Sequence, residues 1–332
     1  MNQNKTEKEE TILELRHVSR QFRIPSKSLF GRAQFLSAVN DVSLSIRKGE
    51  ILGLVGESGC GKSTLGRTMI RLLRPTTGEI LFEGTDITKL SEKELRPYRK
   101  EFQIIFQDPF ASLNPRMTVE EIIADSMEVQ KIYPTRALRQ KRVAELMEEC
   151  GLDPDYAKRY PHEFSGGQRQ RIGIARALSV NPKLIVCDEP VSALDVSIQS
   201  QIINLLNRLR EKMGLTLVFI SHDLSVVNYI ADRIAVMYLG KIVELGNTDE
   251  IFRNPRHPYT KALLNAIPKI GEGKFDPEKE ILEGNIPSPI HLPKGCLFQG
   301  RCPECTEECR AGTMELSEVA PGHWSACRKQ KG

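Results

Sequence analysis

Runs of hydrophobic residues predict strands in four parts of the chain. The stretch ILELRHVSRQFRI alternates apolar and polar positions, as a strand with one buried face does. Three shorter stretches are apolar and end in glycine or acidic residues, which is typical of buried strands: GEILGLVG, KLIVCDEP and TLVFISHD. The pattern therefore predicts one half-buried strand and three buried strands.

Helical patterns lie between and after these strands. Two of the four helical segments end close to a glycine, and the segments are KSTLGRTMIRLL, TRALRQKRVAELMEECG, GQRQRIGIARALSV and VSIQSQIINLLNRLREKMG. Strands that alternate with helices favour the α/β class with a mainly parallel sheet. From about Pro255 the sequence becomes rich in proline, glycine and cysteine. We therefore expect one domain over residues 10–254 and a C-terminal extension over residues 255–332.

The composition is that of an ordinary globular protein. Of the 332 residues, 40% are hydrophobic and 27% are charged, which allows cores for two domains. The formal net charge is only +4, and lysine and arginine are scattered among acids, so no nucleic-acid partner is expected. The start, MNQNKTEKEE, lacks an apolar signal segment, and no later run approaches the roughly 20 apolar residues that cross a bilayer. We expect a cytosolic chain.

The glycine-rich stretch GESGCGKST, residues 56–64, is the strongest chemical signal. It fits the pattern G-x-x-x-x-G-K-[ST] and stands between a predicted strand and a predicted helix. Its glycines allow backbone N–H groups to surround phosphate oxygens, while Lys62 adds a positive charge and Ser63 offers a hydroxyl to Mg²⁺. The pattern predicts a nucleotide-binding P-loop, and a plain glycine-rich turn is the alternative. The residues assigned to the nucleotide are Gly56, Ser58, Gly59, Cys60, Gly61, Lys62, Ser63 and Thr64.

Two acidic residues follow the apolar run LIVC. Asp188 and Glu189 are costly at the end of a buried strand unless a cation or hydrogen bonds meet them. In a P-loop protein, Asp188 fits a water-mediated partner of Mg²⁺, and Glu189 fits a group that polarises the attacking water. The alternative is that both acids only cap the turn before Pro190.

The stretch FSGGQRQR has residues that are typical of a helix N-terminus that binds an anion. Ser165 is a natural N-cap, and Gly166 and Gly167 allow a ligand to approach the backbone closely. Because a helical pattern follows, the stretch predicts a second phosphate-binding helix N-terminus. An ordinary helix start is the alternative for this stretch alone.

These motifs together resemble the nucleotide-binding subunits of ABC transporters, over about residues 10–250. FSGGQ is similar to the signature sequence of that family, with Phe164 where leucine is commoner. The resemblance implies that the signature residues contact ATP held by the opposite subunit of a dimer; they are Ser165, Gly166, Gly167 and Gln168. It also implies roles for residues in IIFQDP, SALD and ISHD: Gln107 as the Q-loop glutamine that reaches Mg²⁺, Asp195 in the D-loop, and His222 as the switch histidine at the γ-phosphate.

The resemblance implies a fold and a mechanism as well. The fold is a P-loop NTPase core with a mainly parallel sheet, an antiparallel β edge region, an inserted helical subdomain over about residues 112–164, and a Cys-rich C-terminal extension. Two subunits would close head to tail over two ATP molecules with Mg²⁺, and Glu189, His222, Lys62 and Gln107 would carry out hydrolysis.

The aromatic residue that stacks on adenine is left open. We take Phe22, which is expected to follow the first strand, as in this family. Phe30 and Phe35 lie in an insertion that is longer than usual, and each of the three could equally be a core or surface residue.

Longer stretches resemble one branch of the family. IIFQDPFASLNPRMTVEEII and RHPYTKALL are similar to oligopeptide/dipeptide importer ATPases, and FASLNPRMTV is similar to the second of their two unequal ATPase subunits. This implies a peripheral subunit at the cytoplasmic face of the membrane that powers peptide import. Its partners would be an unequal ATPase subunit, two permease subunits and, indirectly, an extracytoplasmic solute-binding protein. An importer ATPase for nickel or another small solute and an ABC ATPase without a transport role are the alternatives.

Five of the eight cysteines lie near the C-terminus. The same importer ATPases carry the pattern G-C-x-F-x-x-R-C-P…C…H-x-x-x-C, which is matched here by Cys296, Cys302, Cys309 and Cys327. Four thiolates can hold Zn²⁺ or a [4Fe–4S] cluster, and their spacing does not choose between them. Resemblance to members with an iron–sulfur cluster favours the cluster, while zinc, free thiols and disulfides stay open. Cys305 is an extra thiol and a candidate redox sensor.

The remaining cysteines have simpler interpretations. Cys60 lies within the P-loop, where oxidation could affect ATP binding, but we expect an inert small residue there. Cys150 and Cys187 are expected to pack in a helix and a strand.

Overall fold

A computed structural model describes residues 10–25, 33–267, 287–312 and 314–330. Its strands are β1 Thr11–Ile24, β2 Gln34–Arg47, β3 Ile51–Val55, β4 Thr77–Phe82, β5 Thr85–Asp86, β6 Phe102–Ile105, β7 Leu184–Asp188, β8 Thr216–Ser221, β9 Arg233–Tyr238, β10 Lys241–Asn247, β11 Ser317–Ala320 and β12 His323–Ser325. Its helices are α1 Lys62–Met69, α2 Glu92–Leu95, α3 Val119–Val129, α4 Arg136–Glu149, α5 Gly166–Leu178, α6 Val196–Met213, α7 Leu224–Ile230, α8 Thr248–Arg253, α9 Pro258–Asn265 and α10 Glu307–Ala311. The strands expected from the apolar runs are β1, β3, β7 and β8, and the expected helices are α1, α4, α5 and α6.

The chain forms two compact units whose sequence ranges interleave. The first unit contains Met1–Arg16, Ser43–Glu50 and Glu79–Leu217, and the second contains His17–Val42, Ile51–Gly78 and Val218–Gly332. No single cut in the sequence separates units of this kind. The boundary expected between residues 254 and 255 stays a prediction.

The first unit combines a parallel strand pair with a group of helices. Strand β6 lies parallel to β7, with Phe102 opposite Leu184 and Ile105 opposite Cys187. Helix α5 packs against α3, α4 and α6 through its apolar side. Segments of β2, β1, β4 and β5 follow each other in that order, and β4 pairs antiparallel with β5. Helix α6 ends where Gly214 adopts a left-handed conformation with φ 64°, which glycine does without steric penalty.

The second unit is built on a mixed sheet with the strand order β11-β12-β10-β9-β3-β8. Strands β3 and β9 are parallel, from Leu52 opposite Arg233 to Val55 opposite Val236. Strand β10 is antiparallel to β9, and the α/β alternation in the sequence did not indicate this hairpin. Every residue of β3, β8 and β9 is buried, as expected for strands covered on both faces.

Two strands of this sheet come from the C-terminal extension. Strand β12 pairs antiparallel with β10, with Glu244 opposite Ser325 and Leu245 opposite Trp324, and β11 pairs with β12. His323 and Ser325 in β12 are fully buried. The last part of the chain therefore continues the sheet that also contains β3, the strand that leads into the P-loop.

None of the helices in the described ranges combines the length and the hydropathy that a bilayer-spanning segment needs.

Candidate nucleotide-binding site

The P-loop lies in the second unit, between β3 and α1. Gly56, Gly59 and Gly61 have φ angles of 151°, 79° and 108°, a region in which a Cβ atom is strained. A Cβ atom on Gly56 would also overlap the carbonyl of Met237, and one on Gly61 would overlap the carbonyl of Ala38. The loop is therefore packed so closely against its surroundings that glycine is required at Gly56 and Gly61, whereas glycine is favoured at Gly59 by its φ angle alone.

Lys62 is directed onto the loop itself. Its Nζ atom donates to the carbonyl oxygens of Gly56 at 2.7 Å and Glu57 at 3.0 Å, and the residue is only 4% exposed. A buried ammonium group needs such partners, because its transfer from water is costly without them. Lys62, Ser63 and Thr64 form the first turn of α1, so a cation and two hydroxyls stand at the positive end of the helix dipole.

Glu57, the second residue of the loop, is held through its backbone and its side chain. Its N–H donates to Tyr259 Oη at 2.8 Å. Its carboxylate accepts from Nη1 and Nη2 of Arg301, at 2.7 Å and 2.9 Å. Glu57, Tyr259 and Arg301 were not predicted from the sequence. The acidic residue in the loop could have indicated such a partner, because a partly buried carboxylate in an anion-binding loop is costly unless a cation pairs with it.

Two further residues expected at the nucleotide also belong to the second unit. His222 follows β8 directly and is exposed. Phe22 lies within β1 and not after the first strand as predicted, because β1 extends to Ile24. Its side chain is half-buried, with the guanidinium of Arg20 4.6 Å from the centre of its ring. Phe35 is 51% exposed, and Phe30 lies outside the described residues.

The first unit contains three of the predicted site residues, Glu189 and Gln107 for hydrolysis and Asp188 for Mg²⁺. Asp188 is the last residue of β7 and is 1% exposed, and Glu189 follows it directly. Gln107 lies two residues beyond β6, the parallel neighbour of β7, and its Nε2 donates to Glu189 Oε2 at 3.0 Å. Glu189 has φ 48°, an uncommon conformation for a residue with a Cβ atom that recurs at functional sites.

The signature residues form the capped start of α5, also in the first unit. Ser165 Oγ accepts from the N–H of Gln168 at 3.3 Å, and the N–H of Ser165 donates to Gln168 Oε1 at 3.0 Å. This reciprocal pair is a capping box, which explains why the helix begins here. Ser165 and Gly166 are exposed and Gly167 is buried. Asp195 occupies the N-cap position of α6 and is exposed.

The four cysteines of the C-terminal pattern line one cavity in the second unit. His257, Phe298 and Met314 also line this cavity, and the cysteines are Cys296, Cys302, Cys309 and Cys327. All eight cysteines of the chain lie in the described ranges, and each is a free thiol there. Within those ranges, no three His, Cys, Asp or Glu side chains are placed so that they could hold one metal ion.

The thiols of this cavity differ in their ionisation. Burial raises the pKa of Cys296 and of Cys302 to about 11, and neighbouring thiols act in the same direction. Oγ1 of Thr306 and Sγ of Cys309 form a hydrogen bond of 3.3 Å, which lowers the pKa of the Cys309 thiol. The cavity therefore holds both protonated thiols and one thiol that ionises more easily.

Two family models match this chain. The model described as ABC transporter matches residues 39–192, and the model described as the C-terminal region of oligopeptide/dipeptide transporters matches residues 243–309. The dimeric structure of the ATP-binding cassette MJ0796, in a post-hydrolysis state bound to ADP and Pi, is similar with a TM-score of 0.64 and 29% identity. That match covers 71% of this chain and 98% of the other. The chain belongs to the ABC transporter family and has its P-loop ATPase fold.

The chain is also similar along most of its length to ATP-binding proteins of peptide transporters. The oligopeptide transport ATP-binding protein AppF of Bacillus subtilis is 55% identical over 321 residues, which is 96% of this chain and 97% of that protein. The oligopeptide transport ATP-binding protein OppF of Haemophilus influenzae is 50% identical over 324 residues, again 96% and 97% of the two chains. The resemblance to the oligopeptide/dipeptide importer ATPases is thereby confirmed.

Proposed function

We propose that this chain is an ATP-hydrolysing subunit that powers the import of oligopeptides or dipeptides through a membrane permease. The observation that carries the proposal is a P-loop with the required glycine geometry in a chain 55% identical, over 96% of its length, to an oligopeptide transport ATP-binding protein. Import of nickel or another small solute is the competing function, and a transport measurement separates the two.

The P-loop residues are proposed to bind the phosphates of ATP. Lys62 would exchange the carbonyl oxygens of Gly56 and Glu57 for phosphate oxygens, and the N-terminus of α1 favours negative charge at the same place. Oxygen ligands suit Mg²⁺, and the buried carboxylate of Asp188 fits a site that receives a cation. The proposed ligands are Ser63, Gln107 and Asp188. Bound Mg²⁺ would supply neutralisation of charge on the phosphate oxygens.

Hydrolysis is assigned to the residues that follow β6, β7 and β8. The amide of Gln107 donates to one carboxylate oxygen of Glu189 and so restricts the orientation of that carboxylate. Glu189 is proposed to orient the attacking water and accept its proton. His222 and Lys62 are proposed to stabilise the charge that develops on the γ-phosphate oxygens.

A second ATPase subunit is proposed to complete each ATP site. The exposed start of α5, capped at Ser165, offers a helix N-terminus to an anion outside its own chain. Ser165, Gly166, Gly167, Gln168 and Asp195 would face the ATP of that partner subunit, which we propose to be unequal to this chain. Two permease subunits at the cytoplasmic face of the membrane would contact the helical segment over about residues 112–164, and a solute-binding protein would deliver the peptide.

The C-terminal cysteines are proposed to hold a [4Fe–4S] cluster. The four thiols line one cavity, yet no three of them are arranged for one ion. Four thiolates can hold Zn²⁺ or a [4Fe–4S] cluster, and the resemblance of this cysteine pattern to importer ATPases with a cluster favours the cluster. Metal and sulfide analysis after anaerobic purification tests this. About four irons and four sulfides, lost in Cys302→Ser with Cys309→Ser, support the cluster. One zinc without sulfide would overturn it.

The ATPase assignment is tested by replacing Glu189 in the assembled transporter. Glu189→Gln is expected to bind ATP normally and to hydrolyse it at least about 100-fold more slowly, because a general base contributes about 10²–10⁴-fold. Glu211→Gln, an exposed acid in helix α6, is the matched control and is expected to keep wild-type activity. Near-normal hydrolysis by Glu189→Gln with the partners present would overturn the assignment.

A further inference from the structure

The P-loop contains an acidic residue whose negative charge has the same sign as that of a bound phosphate. Glu57 stands between Gly56 and Ser58, and its side chain is 22% exposed. A negative charge in a partly buried phosphate-binding loop repels a nucleotide triphosphate, and partial burial weakens the screening by water. An unpaired carboxylate at this position would therefore reduce the affinity of the loop for ATP.

Arg301 of the C-terminal extension neutralises this charge. Its two terminal nitrogens donate to the two carboxylate oxygens of Glu57 at 2.7 Å and 2.9 Å, which is the geometry of a strong bidentate pair. The Arg301 side chain is only 5% exposed, so its charge is directed to Glu57 and not lost to solvent. The N–H of Arg301 donates to the carbonyl of Phe298 at 3.0 Å, which places the guanidinium on a turn between Cys296 and Cys302.

An aromatic cluster holds this turn beside the loop. The rings of Tyr238, Tyr259 and Phe298 lie 4.6 Å to 5.5 Å apart between centres, and all three side chains are almost completely buried. The guanidinium of Arg301 lies 6.0 Å from the rings of Tyr238 and Phe298. Tyr259 also accepts the N–H of Glu57. Residues after position 250 thus contact both the backbone and the side chain of Glu57.

We propose that Arg301 is a positioning residue for the P-loop: it cancels the charge of Glu57 and fixes the loop for ATP, so that the C-terminal extension directly supports nucleotide binding. Arg301 acts through Glu57. The inference rests on the proposed ATPase function and extends it, because the Cys-rich turn becomes a part of the nucleotide site.

The affinity of the full-length chain for ATP tests the proposal in four proteins: wild type, Arg301→Ala, Arg301→Lys, and Arg301→Ala combined with Glu57→Gln. Arg301→Ala is expected to raise the Kd and KM for ATP at least about tenfold and to change kcat less than about twofold, as loss of ground-state binding does. Arg301→Lys restores part of the affinity, since it keeps the charge but not the bidentate geometry. Adding Glu57→Gln to Arg301→Ala restores affinity to within about threefold of wild type, because both charges are then removed.

Arg310→Ala is the matched control, because Arg310 lies in the same extension and its side chain is 62% exposed. It should bind ATP as the wild type does. Fluorescence of Trp324 checks that each variant keeps the extension folded. Unchanged ATP affinity in Arg301→Ala, or a folded double variant that binds as weakly as Arg301→Ala, would overturn the inference alone. A wild-type chain that binds no ATP would overturn the proposed function as well.

Discussion

Glu244 is predicted to be the residue that fastens the C-terminal hairpin to the sheet of the second unit. It lies in β10 and is fully buried. Its Oε1 accepts from Nε2 of His323 at 2.7 Å and from the N–H of Arg256 at 2.6 Å, and its Oε2 accepts from the N–H of His257 at 2.9 Å. One carboxylate therefore joins β12, the segment before α9 and β10.

The effect of Glu244→Ala follows from these three bonds. Each of the three donors left buried and unsatisfied costs about 1–3 kcal/mol, and losses above about 5 kcal/mol are exceptional for a single substitution. We therefore expect Glu244→Ala to reduce the free energy of unfolding of this region by about 3–5 kcal/mol. Glu244→Gln keeps one acceptor oxygen, so its expected loss is about 1–3 kcal/mol.

The only tryptophan of the chain makes this measurable. Trp324 lies in β12 opposite Leu245, next to His323, so its fluorescence reports whether the hairpin is paired with β10. With a urea dependence of about 1–3 kcal/mol per molar, a loss of 3 kcal/mol lowers the midpoint by about 1–3 M. Glu250→Ala is the control, because that carboxylate is 45% exposed and 4.0 Å from His323. An unchanged midpoint in Glu244→Ala would show that these three hydrogen bonds do not stabilise the pairing of the hairpin with β10.

Three other predictions follow from single features of the structure. Gly61→Ala is expected to abolish binding of a fluorescent ATP analogue, because a Cβ atom there overlaps the Ala38 carbonyl; retained binding would contradict this. Tyr259→Phe leaves the N–H of Glu57 without its acceptor and should lower the free energy of unfolding by about 1–3 kcal/mol. An unchanged Tm would contradict this prediction. Burial raises the pKa of Cys150 and of Cys187 to about 12, so neither thiol should react with iodoacetamide in the native chain at pH 8.5, as mass spectrometry would show. In the unfolded chain these thiols lose their protons from about pH 9, whereas in the native chain they keep them. The free energy of unfolding should therefore fall as the pH rises above about 9, and alanine at both positions should make this fall less steep.

The parts of the fold that depend on local chemistry could be predicted from the sequence. The P-loop needs a fixed spacing of glycines and a lysine, and the start of α5 needs a serine and a glutamine three residues apart. Both motifs specify their backbone over a few residues. The buried strands β3 and β7 were equally clear, because apolar runs of that length between turn residues have few other solutions.

The parts that depend on distant residues could not be predicted in this way. Glu57 and Arg301 are separated by 244 positions, and Glu244 and His323 by 79, so no local pattern connects them. Strands β11 and β12 have four and three residues and no clear alternation. They form because β12 pairs with the edge of β10 and β11 then pairs with β12. The antiparallel hairpin of β9 and β10 likewise follows from sheet pairing and not from the alternation of strands and helices.

Uptake of a labelled oligopeptide into proteoliposomes measures directly whether this chain powers peptide import. The vesicles would contain this chain with its partner ATPase and permease subunits, ATP would be enclosed on the side of the ATPases, and the solute-binding protein would be outside. We expect accumulation of the peptide that requires ATP and is lost with Glu189→Gln. Accumulation of nickel without peptide, or peptide uptake that persists in Glu189→Gln, would contradict it.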